Sequence, residues 1–170
     1  WNLQYSKKTG NTLLQALFVA NYFLELISNP LLKNIKLTTF HNLAGRDFGG
    51  SVFQMKNNST HIQSTFTPLK MISKFFEDDK TIIFKEQIND DLYKYTFSNE
   101  NGIVSICWVN WSIEQLKTDL ISDDFNKIEE CYAEYLYSKN SDNSAIQFKS
   151  SDFRKNSLLT LKPYSITIIK

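Results

Sequence analysis

Apolar residues crowd one early stretch of the chain on every side of a helical wheel: Leu13, Leu14, Ala16, Leu17, Phe18, Val19, Ala20, Tyr22, Phe23, Leu24, Leu26 and Ile27. A helix that is apolar all round must be packed on most of its faces, so the pattern predicts a buried helix over residues 11–28. Asn11 or Thr12 caps it, and Thr12-Leu13-Leu14-Gln15 has capping-box spacing, a hydroxyl followed three residues later by Gln. Asn29-Pro30 stops it. Gln15, Asn21 and Glu25 interrupt the apolar run. It therefore falls short of the roughly 18–20 apolar residues of a membrane span, and no span is expected.

Residues 35–41 are β-branched and aromatic and read as a strand. A strand soon after a buried helix suggests an α/β unit with a parallel sheet, yet no parallel partner is evident downstream. Residues 42–63, with Gly45, Gly49 and Gly50, read as a long polar connection, a type that is usually functional or disordered. A short helix is expected over residues 69–76, with Thr67 as N-cap and Pro68 at the first helical position.

The pattern changes at Glu77-Asp78-Asp79-Lys80. From there short strands alternate with turn signals: residues 81–84, 92–97, 103–111, 157–161 and 164–169, with a strong turn at Asn99-Glu100-Asn101-Gly102. Residues 129–138 fit a helical period too, but their place among strands favours β. The set predicts an antiparallel β-sandwich over residues 79–170, set off from residues 1–78. Alternation along residues 103–111 puts Trp108 and Asn110 on one face and Trp111 on the other, so one of the two tryptophans is expected in the core.

Composition narrows the function classes. The chain has 170 residues, 42% of them hydrophobic, and a formal net charge of +1 with its lysines scattered. That excludes nucleic acid as a default partner, since such partners call for a basic patch. Cys107 and Cys131 fit either a disulfide or two buried thiols. Three Trp, eight Tyr and thirteen Phe suit a protein that stacks on sugar rings, although most belong to the core. No spacing suggests a metal site, a Ser-His-Asp set or a phosphate loop. Arg46 and Asp47 either reach a substrate or pair with each other, the second being favoured, and His61 is assigned no role. Glu25, Glu86, Glu100, Glu129 and Glu130 read as solvated surface charges. Asn57, Asn58 and Asn110 head glycosylation sequons. Trp1-Asn2-Leu3-Gln4-Tyr5 reads as a strand end passing into a loop. Natural N-termini are usually polar and mobile, so the chain is expected to be the last part of a longer protein.

Three stretches carry a family resemblance. They are Trp1-Asn2-Leu3-Gln4 with residues 10–20, Phe40-His41-Asn42-Leu43-Ala44-Gly45 leading to Thr67-Pro68-Leu69, and Leu161-Lys162-Pro163-Tyr164-Ser165-Ile166-Thr167-Ile168-Ile169. Together they resemble the C-terminal part of retaining glycoside hydrolases of the α-L-arabinofuranosidase and β-xylosidase type. In those enzymes a (β/α)8 barrel, the TIM barrel, is followed by a β-sandwich. The resemblance implies a mixed fold: the last βα units of the barrel, α/β, over residues 1–78, then an all-β accessory sandwich over 79–170. Residues 11–28 become the seventh barrel helix, 35–41 the eighth strand and 69–76 the eighth helix.

The same resemblance implies two-carboxylate double displacement, with the nucleophile Glu immediately before Trp1, the acid/base further upstream, and no catalytic residue in this chain. Trp1, His41 and Asn42 would line the sugar site, because barrel sites lie at the C-terminal ends of strands. Trp1 either stacks on a sugar or packs the barrel mouth. His41 either bonds a sugar hydroxyl or orients a carboxylate, or is a strand-end histidine satisfied by backbone; the barrel position favours the site. The implied partners are a plant-type carbohydrate substrate and the upstream barrel strands. No cofactor is implied, and the implied location is extracellular or periplasmic. The rival reading is a non-catalytic carbohydrate-binding sandwich, or a catalytically dead barrel.

Overall fold

The computed structural model describes residues 12–32, 34–35, 44–45, 51–73, 75, 82–118, 125, 127–133, 146–152 and 158–170, without the side chains of 45, 82, 131, 133 and 146. It is a mixed fold of two helices and mostly antiparallel sheets. The first helix, α1, spans Leu13–Ser28. Its N-cap is Thr12, whose hydroxyl accepts from the Gln15 amide at 3.2 Å. At the other end the Asn29 amide donates to the Glu25 carbonyl at 3.1 Å. The Asn29 side chain then accepts from the Leu31 amide at 2.9 Å, turning the chain into the 3-10 segment Pro30–Leu32. Leu13, Ala16, Leu17, Val19, Ala20 and Leu24 are wholly buried, as an all-round apolar helix requires.

The predicted strand over residues 35–41 lies outside the described residues but for Ile35, which is exposed. The connection over 42–63 is not simply a loop. It carries β1 (Ala44–Gly45), β2 (Phe53–Lys56) and β3 (Ser59–Ile62), with β1 parallel to β2 and β2 antiparallel to β3. The turn between β2 and β3 is made by Asn57 and Asn58, both at positive φ (52° and 59°). That pair of left-handed residues gives the type I′ geometry that matches strand twist, and Asn tolerates it best after Gly.

The second helix, α2, runs Phe66–Ser73, three residues earlier than expected. The Leu69 amide donates to the Thr65 carbonyl at 3.2 Å, so the N-cap is Thr65 and not Thr67. Pro68 still costs no hydrogen bond, because the first four amides of a helix lack intrahelical partners in any case.

Six strands then form one antiparallel sheet in the order β4-β5-β6-β11-β8-β9. They are β4 (Ile82–Asn89), β5 (Leu92–Asn99), β6 (Gly102–Asn110), β8 (Lys127–Ala133), β9 (Ile146–Asp152) and β11 (Ser165–Ile169). Two further strands, β7 (Leu116–Thr118) and β10 (Leu159–Leu161), pair with each other. The β5–β6 turn carries Gly102 at φ +121°, a conformation only glycine adopts readily.

Each face of the large sheet has its own core. Tyr95, Phe97, Cys107, Val109, Ile166 and Ile168 pack against α1 and α2. Leu92, Ile106, Trp108, Ile128 and Ile169 pack against Leu159 and Leu161 of β10, with Phe125. The order is therefore helices, six-stranded sheet, two-stranded sheet. No barrel closure is present among the described residues.

The register settles the cysteines. Cys131 on β8 pairs with Ile166 of β11, and Cys107 on β6 pairs with Ile168 of β11. With β11 between them, their Cα atoms stand roughly 10 Å apart or more at normal strand spacing. A disulfide tolerates no more than about 7 Å, so the two cannot be bridged, and Cys107 is a buried free thiol.

Candidate functional site

Trp1, His41 and Asn42 lie outside the described residues, as do Arg46 and Asp47. The described part of the same region is the return from β3 into α2, and it is polar and buried. Ser51, Gln63, Ser64 and Thr65 are all at least nine-tenths buried. The Thr65 hydroxyl donates to the Ser51 carbonyl at 3.1 Å, and the Gln63 amide donates to the Val52 carbonyl at 2.9 Å. The Gln63 side chain donates through Nε2 to Gln54 Oε1 at 3.3 Å, while its own Oε1 meets no protein donor. These bonds fix the base of the β2–β3 hairpin against α2, where Phe53 and Phe66 meet at 5.5 Å between ring centroids. His61 sits on the exposed hairpin, 3.1 Å from the Ser59 hydroxyl.

The carboxylates divide differently from the sequence expectation. Glu86 and Glu100 are exposed, as expected, and Glu86 pairs with Lys94 at 3.1 Å. Glu25 is half-buried: its carboxylate accepts from the Tyr95 hydroxyl at 2.8 Å and pairs with Lys85. Asn21 lies at the same distance from that hydroxyl, so the three side chains tie α1 to the sheet. Burial, reinforced by the Glu25 carboxylate, pushes the Tyr95 phenol well above its ordinary pKa. Glu129 and Glu130 are buried, 3% and 7% exposed, and are not solvated charges. Glu129 is compensated by Lys170 at 2.9 Å and Lys127 at 3.4 Å. The double-Glu sequence hides this because the compensating Lys170 lies 41 residues away.

Glu129 and Glu130 are adjacent on one strand, so they point to opposite faces of the sheet. They cannot face one substrate as a catalytic pair. Among the described residues no group of three or more His, Cys, Asp or Glu is placed to hold a metal ion. No helix among them is long and apolar enough to cross a membrane.

Asn110 is wholly buried and holds the neighbouring turns. Its Nδ2 donates to the carbonyls of Glu114 (3.2 Å) and Lys162 (2.8 Å), and its Oδ1 accepts from the Ser112 amide at 2.9 Å. The sequon it heads is therefore inaccessible in the folded chain, whereas Asn57 and Asn58 stand exposed at a hairpin tip. Trp108 is 2% exposed, as alternation demands of one tryptophan, and Trp111 packs half-buried against the helix-side core. Neither offers a flat, open ring to a sugar.

A cleft does open between α2 and the edge of the large sheet. It has a volume of about 120 Å³ and is lined by Phe66, Thr67, Lys70, Met71, Glu129 and Phe148. Sequence reasoning missed it. Its walls come from two distant segments, and the β9 strand that supplies Phe148 is too polar to stand out as a strand.

No family model matches the sequence, and no curated protein matches it. Solved structures do. An α-L-arabinofuranosidase from Thermotoga maritima, crystallised as an arabinose complex, superposes with a TM-score of 0.67 at 12% identity, covering 99% of this chain and 41% of its own. The catalytic domain of GH30 xylanase C from Talaromyces cellulolyticus gives 0.58 at 15% identity, covering 99% and 36%. A 4-O-α-L-rhamnosyl-β-D-glucuronidase from Fusarium oxysporum gives 0.65 at 11% identity, covering 98% and 40%. The chain has the fold of part of these glycoside hydrolases. It spans about two fifths of the length of the arabinofuranosidase it matches.

Proposed function

We propose that this chain is the C-terminal portion of a retaining glycoside hydrolase of the arabinofuranosidase and xylosidase type, acting on plant-type polysaccharides or oligosaccharides outside the cytoplasm. The observation that carries the reading is the continuity of the likeness. A sequence only 12% identical to the arabinofuranosidase follows its fold over 99% of this chain. A GH30 xylanase shares the same arrangement. In this reading residues 1–78 complete a (β/α)8 barrel and residues 79–170 form its accessory sandwich. Trp1, His41 and Asn42 line the sugar site, and the nucleophile is a Glu immediately before Trp1. The joint core of α1, α2 and the six-stranded sheet supports a structural task for the sandwich: it covers the outer face of two barrel helices and stiffens the loops that leave them.

The chemistry follows from general rules. The nucleophile carboxylate attacks the anomeric carbon while a second carboxyl group, about 5–5.5 Å away, protonates the leaving oxygen. Both groups lie upstream, so the 170-residue chain alone turns over no glycoside. The test uses the parent coding region. The codon before Trp1 should specify Glu. Its replacement by Gln in the parent protein should abolish hydrolysis of aryl arabinofuranosides and xylosides while the melting temperature holds. A residue other than a carboxylate at that position overturns the mechanism and leaves a catalytically dead barrel or a binding role.

A further inference from the structure

The cleft between α2 and the β8–β9 edge combines three features that few small cavities share. One wall is the Phe148 ring, 52% exposed on an edge strand, where a large apolar side chain has no packing reason to stand. The floor is apolar, with Met71 buried and Phe66 beside it. Three polar residues, Thr67, Lys70 and the buried Glu129, complete a lining that is otherwise apolar. Thr67 and Lys70 are three residues apart on α2 and so share a face. Lys70 stands 6.0 Å from the Phe66 ring centroid. Glu129 cannot swing away, because Lys170 and Lys127 hold it.

We propose that this cleft binds one sugar ring. A pyranose or furanose has an apolar C–H face suited to an aromatic plate and a rim of hydroxyls suited to charged and hydroxyl partners. A purely apolar guest would make no use of the Thr67 and Lys70 side chains in the lining, whereas ring hydroxyls can bond both. A carboxylate and an ammonium together serve a ligand that both donates and accepts hydrogen bonds, as a hydroxyl does. At about 120 Å³ the cavity has room for a single ring, not a chain, since pockets for larger ligands run from about 300 Å³ upward. The ring would seat with its apolar face on Phe148, its hydroxyls reaching Thr67, Lys70 and Glu129. The choice of a pentose as probe rests on the function proposed above; the site itself does not need the upstream nucleophile.

The test is a titration of the 170-residue chain with xylose and xylotriose, followed by the NMR signals of Phe148 and Thr67. Saturable binding is expected at dissociation constants of order a millimolar, as small stacked ligands give. Phe148→Ala should weaken it about tenfold or more by removing the stacking plate. Phe148→Trp should preserve or tighten it, and Thr67→Val should weaken it several-fold. Should Phe148→Ala fail to fold, Thr67→Val decides alone, with its melting curve as control. Three results overturn the proposal: no saturable sugar binding, sugar binding unchanged in Phe148→Ala and Thr67→Val, or capture of toluene or indole in place of sugar. The residue before Trp1 takes no part in this binding. An inactive parent with a sugar-binding cleft, or an active one without it, therefore separates the failure of one reading from the failure of the other.

Discussion

The two faces of the six-stranded sheet are built on opposite principles. The face against α1 and α2 is largely apolar, and its main polar groups are bonded in pairs or trios, as in Tyr95 with Glu25 and Asn21, and Glu129 with Lys170 and Lys127. The face toward β7 and β10 carries a polar row in register across all six strands: Glu86, Lys94, Trp108, Thr167, Glu130 and Lys149. Its exposed Glu86 is satisfied by Lys94. Near its middle, Trp108 Nε1 and Thr167 Oγ1 are buried and meet no protein partner. Buried polar groups are bonded in nearly all folded proteins. The helix side leaves one exception, Ser105 Oγ opposite Phe97, whereas the other side leaves two, cross-strand neighbours at its centre. The helix side is thus the one on which stability should chiefly rest.

The largest effect expected from this contrast is at Phe97. It is wholly buried and stacks on Phe75 with 3.7 Å between ring centroids. Phe97→Ala should cost about 3–5 kcal/mol, the usual range for a buried ring, read from urea unfolding. Leu161→Ala on the other face should cost less, about 2–3 kcal/mol, because β10 has a single pairing strand and room to relax. Equal losses would break the comparison.

Next in size is Asn110→Ala, which removes both donors to the Glu114 and Lys162 carbonyls and the acceptor for the Ser112 amide. About 2–3 kcal/mol is expected, since stranded buried partners cost more than a single bond is worth. Thermal unfolding together with amide exchange at Ser112 would measure it. Exchange at Ser112 should quicken even below the melting range.

Tyr95 adds a pH arm. On the helix face burial raises the pKa of both the Tyr95 phenol and the Cys107 thiol above their ordinary values of 10.0 and 9.0. Above those values the unfolded chain releases protons that the folded chain keeps. Stability is therefore full below about pH 9 and falls as pH rises, by about 1.4 kcal/mol per pH unit for each group. Tyr95→Phe should cost about 1–2 kcal/mol at pH 7, leaving Asn21 and Glu25 without their shared hydroxyl. It should also remove one group's share of the alkaline slope. An unchanged slope in urea melts between pH 9 and 11 would mean that Tyr95 titrates freely.

How much of this was legible in the sequence depends on what drives each element. Where burial drives it, the pattern told. The all-round apolar run gave α1, with Thr12 one of its two candidate caps, and alternation put Trp108 and Trp111 on opposite faces with one of them in the core. The place of residues 129–138 among strands favoured β against a competing helical period, and β8 bears this out as far as Ala133, residues 134–138 lying outside the described residues. Where backbone pairing alone drives an element, the pattern was silent. Three of the four residues of β3 are polar and all four are exposed, so the hairpin left no hydrophobic trace. Its one usable signal was the Asn57-Asn58 pair, whose tolerance of positive φ marks a turn. β9 was missed for the same reason. The carboxylates failed differently: Glu129 and Glu130 look like surface to any local reading, and only the tertiary structure buries them, Glu129 with Lys170 brought from the chain end. Of the candidate site, Trp1, His41 and Asn42 fall outside the described residues, while the α2 cleft could not be read from any single stretch.

The smallest expected effect is also the sharpest test of the contrast. Thr167 is wholly buried on the central strand of the polar row, and its hydroxyl meets no protein partner. Thr167→Val keeps the branched shape and the β preference and removes only the hydroxyl. On the helix face, removing a hydroxyl such as that of Tyr95 breaks bonds and must destabilise. Here it removes a group whose desolvation is uncompensated by protein, so the variant should be as stable as the parent or more so, by up to about 1 kcal/mol. Neighbouring Trp108 gives the internal control, since its own unpartnered Nε1 can be tested by Trp108→Phe, which adds a loss of packing volume that Thr167→Val does not. A gain at Thr167 would establish the row as a dry polar seam under β7 and β10. A loss of about 1 kcal/mol or more would mean that the hydroxyl is bonded by internal water, and the two faces would then differ only in who supplies the partner.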